Sequence, residues 1–255
     1  MQVDFGKTAQ DYARHRAGFP ERFFERLFVA GWARVGVRAL DLGTGTGTVA
    51  RGFALRGCQV TGLDPSAPLL DQARQLDHAA GVAIDYVNAR AEQTGMADQT
   101  FGLVTAGQCW HWFDRPKAAA EASRILAPGG RLIIASFDWL PLPGNVVEAT
   151  ELLIKSHNPG WHMGGGTGIY PRYFADISQA GFQDIESFSF DLDVPYSHEA
   201  WRGRIRASAG ISASLSPDSV AVFDAAHAAL LSTAYPADLL AIPHRVFVVS
   251  GVRAR

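Results

Sequence analysis

Cysteine is nearly absent from this chain of 255 residues, which holds only Cys58 and Cys109. Two thiols exclude a disulfide scaffold and a Cys-rich zinc module, and no metal site is expected. They suit a reducing compartment, so a cytoplasmic location is expected. A charge excess is missing too. Lys and Arg number 23 against 25 Asp and Glu, for a net charge of −2, so no basic field exists to hold a nucleic-acid backbone. No apolar run approaches the ~18 residues that mark a membrane-crossing helix. The opening MQVDFGKTAQDYARHR lacks the apolar stretch of a secretory signal. Neither nucleic acid nor membrane is therefore expected as a partner. Internal repeats are absent, and low complexity is confined to a Gly-rich patch at Gly164–Gly168.

What is present can build a core. Residues of type AVILMFWYC make up 47% and charged residues 19%, a balance that argues against disorder. The length is large for one compact domain and small for two, so a single domain over 1–255 with extra segments is expected. Strands are expected at 39–42, 59–63, 83–87, 101–106 and 131–136, with helical segments between them. That alternation predicts a parallel sheet with helices on both faces. Further strands are expected near 188–194 and at 245–251. Two helices, about 198–209 and 217–233, look inserted between these last strands, the second with Ser216 as N-cap and Pro217 at its first position. The fold class is therefore α/β: a doubly wound, mostly parallel, Rossmann-like seven-stranded sheet. Residues 1–35 form an N-terminal lid, 36–137 a ligand-binding half, and 138–255 a second half with a helical insertion at about 196–240.

The chemistry concentrates at the first strand–helix turn, Asp41-Leu42-Gly43-Thr44-Gly45-Thr46-Gly47. Open α/β sheets bind ligands at the carboxyl ends of their strands, where strand order reverses. Glycines let a ligand approach the backbone closely. Asp64 closes the second strand, at the offset where a carboxylate accepts ribose hydroxyls. The turn reads Gly-x-Gly-x-Gly rather than Gly-x-Gly-x-x-Gly, and Asp41 would repel a pyrophosphate. A nucleoside with a cationic amino-acid end fits better, and S-adenosyl-L-methionine is such a ligand. A nicotinamide-dependent oxidoreductase is the weaker alternative.

The chain resembles class I S-adenosylmethionine-dependent methyltransferases of the broad type 11 small-molecule group. The resemblance rests on Ala39 to Gly47, Val60-Thr-Gly-Leu-Asp-Pro-Ser66, Ala91-Glu92, Gln108-Cys-Trp-His-Trp-Phe-Asp114 and Glu121 to Gly130, with Tyr12 to Arg16 similar to the lid of such proteins. It implies that Asp41, Gly43, Thr44 and Gly45 hold the methionine and ribose part. Asp64 would take the ribose hydroxyls, Pro65 or Ser66 would flank the adenine, and Leu69 would contact the cofactor. Ala91 and Glu92 would lie at its edge, Gln108 beside the methionine moiety, and Tyr12 and Arg16 on the closing lid. Arg90 stands where many relatives carry an Asp that contacts the adenine amino group. The implied activity is methyl transfer to a small-molecule acceptor by a monomer or homodimer; a catalytically silent cofactor-binding protein of the same fold is the other reading.

On the acceptor side, His111 follows the fourth strand as a candidate general base or a wall of the pocket. An imidazole, with its ordinary pKa of roughly 6.5, suits proton transfer near neutrality. Trp110, Trp112 and Phe113 are candidates for an aromatic acceptor cavity or for plain packing. Trp161 and His162 belong either to a flap over the acceptor or to a surface loop. Arg202 and Arg206 share a helix face that either binds an acidic acceptor or is solvated, while Arg204 points elsewhere. Cys109 is read as packing.

Overall fold

A computed structural model describes residue 15 and residues 17–254 of the chain, so Tyr12 and Arg16 of the expected lid lie outside the described residues. Seven strands form one sheet: β1 (Arg38–Leu42), β2 (Gln59–Leu63), β3 (Asp85–Val87), β4 (Phe101–Gly107), β5 (Leu126–Trp139), β6 (Phe182–Tyr196) and β7 (Leu240–Arg253). Their order is β3-β2-β1-β4-β5-β7-β6. The pairs β2–β3, β1–β2, β1–β4 and β4–β5 are parallel. The chain moves outward from β1 to β3 and then returns to β4 on the other side of β1. The β1–β4 pair is thus the place where strand order reverses, and the turn after β1 lies at that place.

The helices are α1 (Glu21–Val29), α2 (Thr48–Ala54), α3 (Ala67–Ala80), α4 (Arg115–Ile125), α5 (Val146–His157), α6 (Arg172–Gln179), α7 (His198–Arg206) and α8 (Pro217–Ala234), with a 3-10 turn at Trp110–Trp112. The sequence accounts for most of these locally. Four of the five residues of β1 are buried, as expected for a strand covered on both faces. In α1, Phe23, Phe24 and Leu27 share the buried face at helical spacing. Ser216 caps α8 by accepting the Ser219 backbone N–H, with Pro217 at the first position. Ser197 and Asn145 cap α7 and α5 in the same way. Two other residues of capping type behave differently. Ser66 precedes α3 without a side-chain cap bond, and Asp114 precedes α4 with its carboxylate on Lys117 instead.

The described residues gather into two compact units. The first comprises Gly18–Phe137, Tyr170–Phe190 and Val246–Arg255. Its core includes the fully buried Leu40, Leu42, Phe53, Leu63, Leu103 and Ile133. The second comprises Asp138–Ile169 and Asp191–Arg245, together with His15 and Ala17. Its core is built by α5, α7 and α8 around Val147, Ile154, Trp201, Ile205, Phe223 and Leu231. Among the described residues no helix is long and apolar enough to cross a membrane.

Candidate functional site

The turn after β1 is knitted to the end of β2 by short hydrogen bonds. Thr44 donates its backbone N–H to the Leu63 carbonyl at 2.9 Å. Gly45 N–H donates to Asp64 Oδ2 at 2.9 Å, and Ser66 N–H donates to Asp64 Oδ1 at 2.8 Å. Each carboxylate oxygen of Asp64 thus accepts one backbone donor. A carboxylate offers about four lone-pair positions, so roughly two remain for a ligand. Burial pushes the Asp64 pKa up, and the bonds from Ser66 and Gly45 oppose that rise.

Asp41 sits deeper and does something different from what the sequence suggested. It is 2% exposed, its Oδ2 accepts from the Thr44 hydroxyl at 2.7 Å, and its Oδ1 accepts from the Thr105 hydroxyl at 2.7 Å. The carboxylate therefore braces the turn against β4 rather than facing outward to a cationic ligand. Burial pushes its pKa up to about 6, the two hydroxyls pull it back, and the negative charge of Asp64 adds to the rise.

Two glycines of the turn have φ of +60° (Gly43) and +55° (Gly45), left-handed values that side chains disfavour. Their surroundings differ. A Cβ on Gly43 would lie 2.8 Å from Cys109 Cβ and 2.9 Å from its Sγ. Cys109 is buried and donates its S–H to the Leu42 carbonyl at 3.0 Å, so it packs under the turn as expected. A Cβ on Gly45 would meet no heavy atom within 4 Å, although the residue is buried. That is a cradle beside the Asp64 carboxylate which a Cβ would enter.

The remaining residues of this group sit on loops that follow the same strand ends. Leu69 and Ala91 are buried, and Pro65 is exposed. Glu92 Oε1 accepts the Asp114 N–H at 2.8 Å. Arg90 is exposed and pairs by backbone with Gln93. Gln108 follows β4 with φ +60° and donates its Nε2–H to the Phe137 carbonyl at 2.8 Å.

The exit of β4 separates its aromatic residues. Trp110 is 1% exposed and donates its indole N–H to Asp176 Oδ2 at 3.0 Å; Arg115 reaches the same oxygen at 3.2 Å. A ring so enclosed packs, and the expected acceptor face of Trp110 is corrected on that ground. Trp112 is 43% exposed, and the exposed His111 ring lies 4.7 Å from it.

In the second unit the expected flap is half corrected. Trp161 is 6% exposed within the helical core, so it anchors its loop rather than moving with a lid. The Gly-rich stretch is tied down as well, because Gly165 N–H donates to Glu151 Oε2 at 2.7 Å. His162 is exposed. The Arg202–Arg206 face is occupied: Arg206 Nη1 lies 2.8 Å and Arg202 Nε 3.1 Å from Asp224 Oδ1, and Glu199 flanks both arginines. Neither a solvated face nor an acceptor site describes it. Sequence reasoning missed Glu151, whose signal was a carboxylate on the apolar face of α5, level with Val147 and Ile154. It also missed Thr105 and Asp176, for which nothing in sequence spacing stood out.

Residues 40–134 match the model of a methyltransferase domain. That segment, from β1 into β5, is similar to methyltransferase domains. Its relatives include methyltransferase Rv3342 of Mycobacterium tuberculosis, 35% identical over 132 residues, which is 52% of this chain and 51% of that one. Another is the ubiquinone/menaquinone biosynthesis C-methyltransferase UbiE of Roseobacter denitrificans, 29% identical over 66% of this chain and 75% of its own. The chain spans about half the length of the first of these curated relatives. Among solved structures, Haemonchus contortus phosphoethanolamine N-methyltransferase 2 with S-adenosyl-L-methionine superposes with a TM-score of 0.58 at 20% identity, over 98% of this chain and 57% of its own. The YcgJ protein of Bacillus subtilis gives 0.59 at 17%, over 92% and 100%. These likenesses establish the methyltransferase fold, and the β1–β4 reversal of this chain is part of it.

Proposed function

We propose that this chain transfers a methyl group from S-adenosyl-L-methionine to a small-molecule acceptor. The observation that carries the reading is the open cradle at Gly45 beside a buried carboxylate, Asp64, with lone pairs to spare. The donor set fits the group. Asp64 accepts the ribose hydroxyls, the turn from Gly43 to Gly45 gives close backbone approach, and Leu69 and Ala91 offer apolar contact for an adenine. When bound, the cofactor supplies a methyl carbon activated by its sulfonium. The protein contributes proximity, in-line alignment and exclusion of water. Where the acceptor must lose a proton, the exposed His111 imidazole after β4 is the candidate to accept it.

Asp64→Ala tests this directly. Two hydrogen bonds to a charged acceptor are worth about 1.5–3 kcal/mol each. Calorimetric affinity for S-adenosyl-L-methionine should therefore fall by at least about tenfold, with S-adenosylhomocysteine affected alike. An Asp64→Ala protein that is folded and binds both as tightly as wild type contradicts the reading.

A further inference from the structure

The glycine turn after β1 is also held from behind. Arg51 of α2 spreads its guanidinium over three acceptors. Nε donates to Asp77 Oδ1 at 2.8 Å, and Nη2 donates to the Thr46 carbonyl at 2.9 Å and to the Ala73 carbonyl at 3.3 Å. Thr46 belongs to the turn, while Ala73 and Asp77 belong to α3. The Arg51 and Asp77 side chains are 15% and 5% exposed, so salt and water screen the pair little. A guanidinium is a planar fork with five donors. A lysine ammonium is a point charge on a flexible stem and does not reproduce that fork.

Tyr86 of β3 closes the space behind the same turn. A Cβ on Gly62 would stand 2.4 Å from its Cε1, and a Cβ on Gly47 would stand 2.3 Å from its hydroxyl. The ring therefore occupies room that two glycines leave. Burial pushes the Tyr86 pKa up, and the Asp77 carboxylate facing it adds to the rise, so the hydroxyl stays protonated. Gly47 opens α2 with φ +76°, and its N–H donates to the Thr44 carbonyl at 2.9 Å. Gly45 lies inside that closed turn and donates to Asp64. A displacement of Thr46 or Gly47 is thus passed to the Gly45–Asp64 bond. All of these residues lie in the first compact unit.

The two elements that Arg51 joins flank the Asp64 carboxylate on either side. The turn reaches it through Gly45, and α3 begins directly after Ser66, which reaches it from the other direction and is followed by the buried Leu69. We propose that Arg51, acting through Asp77 and the Thr46 carbonyl, is a positioning residue that fixes the span between these two walls of the cofactor cradle. This rests on the S-adenosyl-L-methionine reading above and adds the device that sets the width of that site. A ligand that engages both walls gains from a span fixed in advance, and one that engages a single wall gains little.

The test compares S-adenosylhomocysteine with adenosine, which lacks the amino-acid arm assigned to the turn. Calorimetry on the full chain gives the first affinity directly and the second by competition, and their ratio in the wild type is the reference. Arg51→Met should lower that ratio by at least about tenfold, with the loss falling on S-adenosylhomocysteine. Arg51→Lys, which keeps the charge beside Asp77 and loses the fork, should lower it by at least about threefold. Ile133→Val, a truncation in the core of the same unit, should lower the melting temperature and leave the ratio unchanged, which separates positioning from a general loss of stability. Should Arg51→Met fail to fold by circular dichroism, Arg51→Lys decides. A smaller fall in the folded arginine variants, or an equal fall in Ile133→Val, overturns the proposal. If the wild type binds S-adenosylhomocysteine and the variants keep its ratio, only the role of Arg51 falls. If the wild type does not bind S-adenosylhomocysteine, the cofactor reading falls with it.

Discussion

Two glycines two positions apart in the turn after β1 make different demands, and substituting each tests the cradle beside Asp64. Gly43 and Gly45 both hold left-handed backbone, φ +60° and +55°, which costs a residue with a side chain about 1–2 kcal/mol. At Gly45 a methyl group meets no heavy atom within 4 Å, so backbone strain is the whole stability cost of Gly45→Ala. At about 2–4 °C per kcal/mol for a chain of this size, melting should fall by about 2–8 °C. At Gly43 the same methyl lies under 3.0 Å from Cys109 Cβ and Sγ, and overpacking adds about 1–3 kcal/mol. Gly43→Ala should therefore melt lower than Gly45→Ala. Affinity separates them the other way. The larger Gly45→Val side chain fills the space assigned to the ligand, so binding of S-adenosyl-L-methionine should weaken by at least about 100-fold, near 2.7 kcal/mol. Thermal melts and calorimetry at one pH measure both. The reasoning is refuted if folded Gly45→Val binds within threefold of wild type, or if Gly43→Ala melts no lower than Gly45→Ala.

Thr150 is the buried hub of the second unit: its hydroxyl donates to the Val146 carbonyl at 2.7 Å, accepts from Trp201 Nε1 at 3.1 Å, and lies 3.2 Å from His227 Nε2. Thr150→Val keeps the volume and orphans buried donors, so urea unfolding should show a loss of about 2 kcal/mol or more, largely restored in Thr150→Ser; an unchanged midpoint would contradict the hub. Burial pushes His227 and His244 down to about 4. As pH falls from about 6.5, the ordinary histidine value, toward 4, the unfolded chain takes protons that the fold refuses, and stability falls. Asp41, raised to about 6, acts oppositely over about 6 to 4, because the fold binds its proton first. Urea midpoints at pH 7 and 4.5 should thus show a net loss on acidification, reduced in His244→Gln and made steeper in Asp41→Asn. Equal slopes in all three proteins would sink the assignment.

The first half of the molecule was legible because its signals are local. A strand covered on both faces, a glycine turn and an acidic residue closing the next strand occupy consecutive positions, and β1 and β2 match expectation to within a residue. The later strands were underread for a shared reason. Pro195 and Pro243 look like strand breakers, yet both lie inside strands, β6 (Phe182–Tyr196) and β7 (Leu240–Arg253). In β6 the proline is tolerated because that strand is an edge of the sheet, where one side needs no ladder donor. The Pro128–Gly130 stretch, whose residues favour turns, lies inside β5, where the pairing with β4 slips between Phe101 and Leu103. Within the site, Asp64 was readable from its place at a strand end. The inward role of Asp41 was not, since it depends on Thr105 from a strand far away in sequence. Trp161 was misread for a similar reason: a tryptophan in a glycine-rich loop sits in the core of helices it does not adjoin in sequence.

The central claim is that the cradle at Gly45 and Asp64 belongs to S-adenosyl-L-methionine. Calorimetric titration of the purified wild-type chain with S-adenosyl-L-methionine, S-adenosylhomocysteine and NADH tests it most directly. The account predicts one-to-one binding of the first two, in the micromolar range, and none of NADH. Saturable binding of NADH, with no heat from either sulfur-bearing ligand, would contradict it.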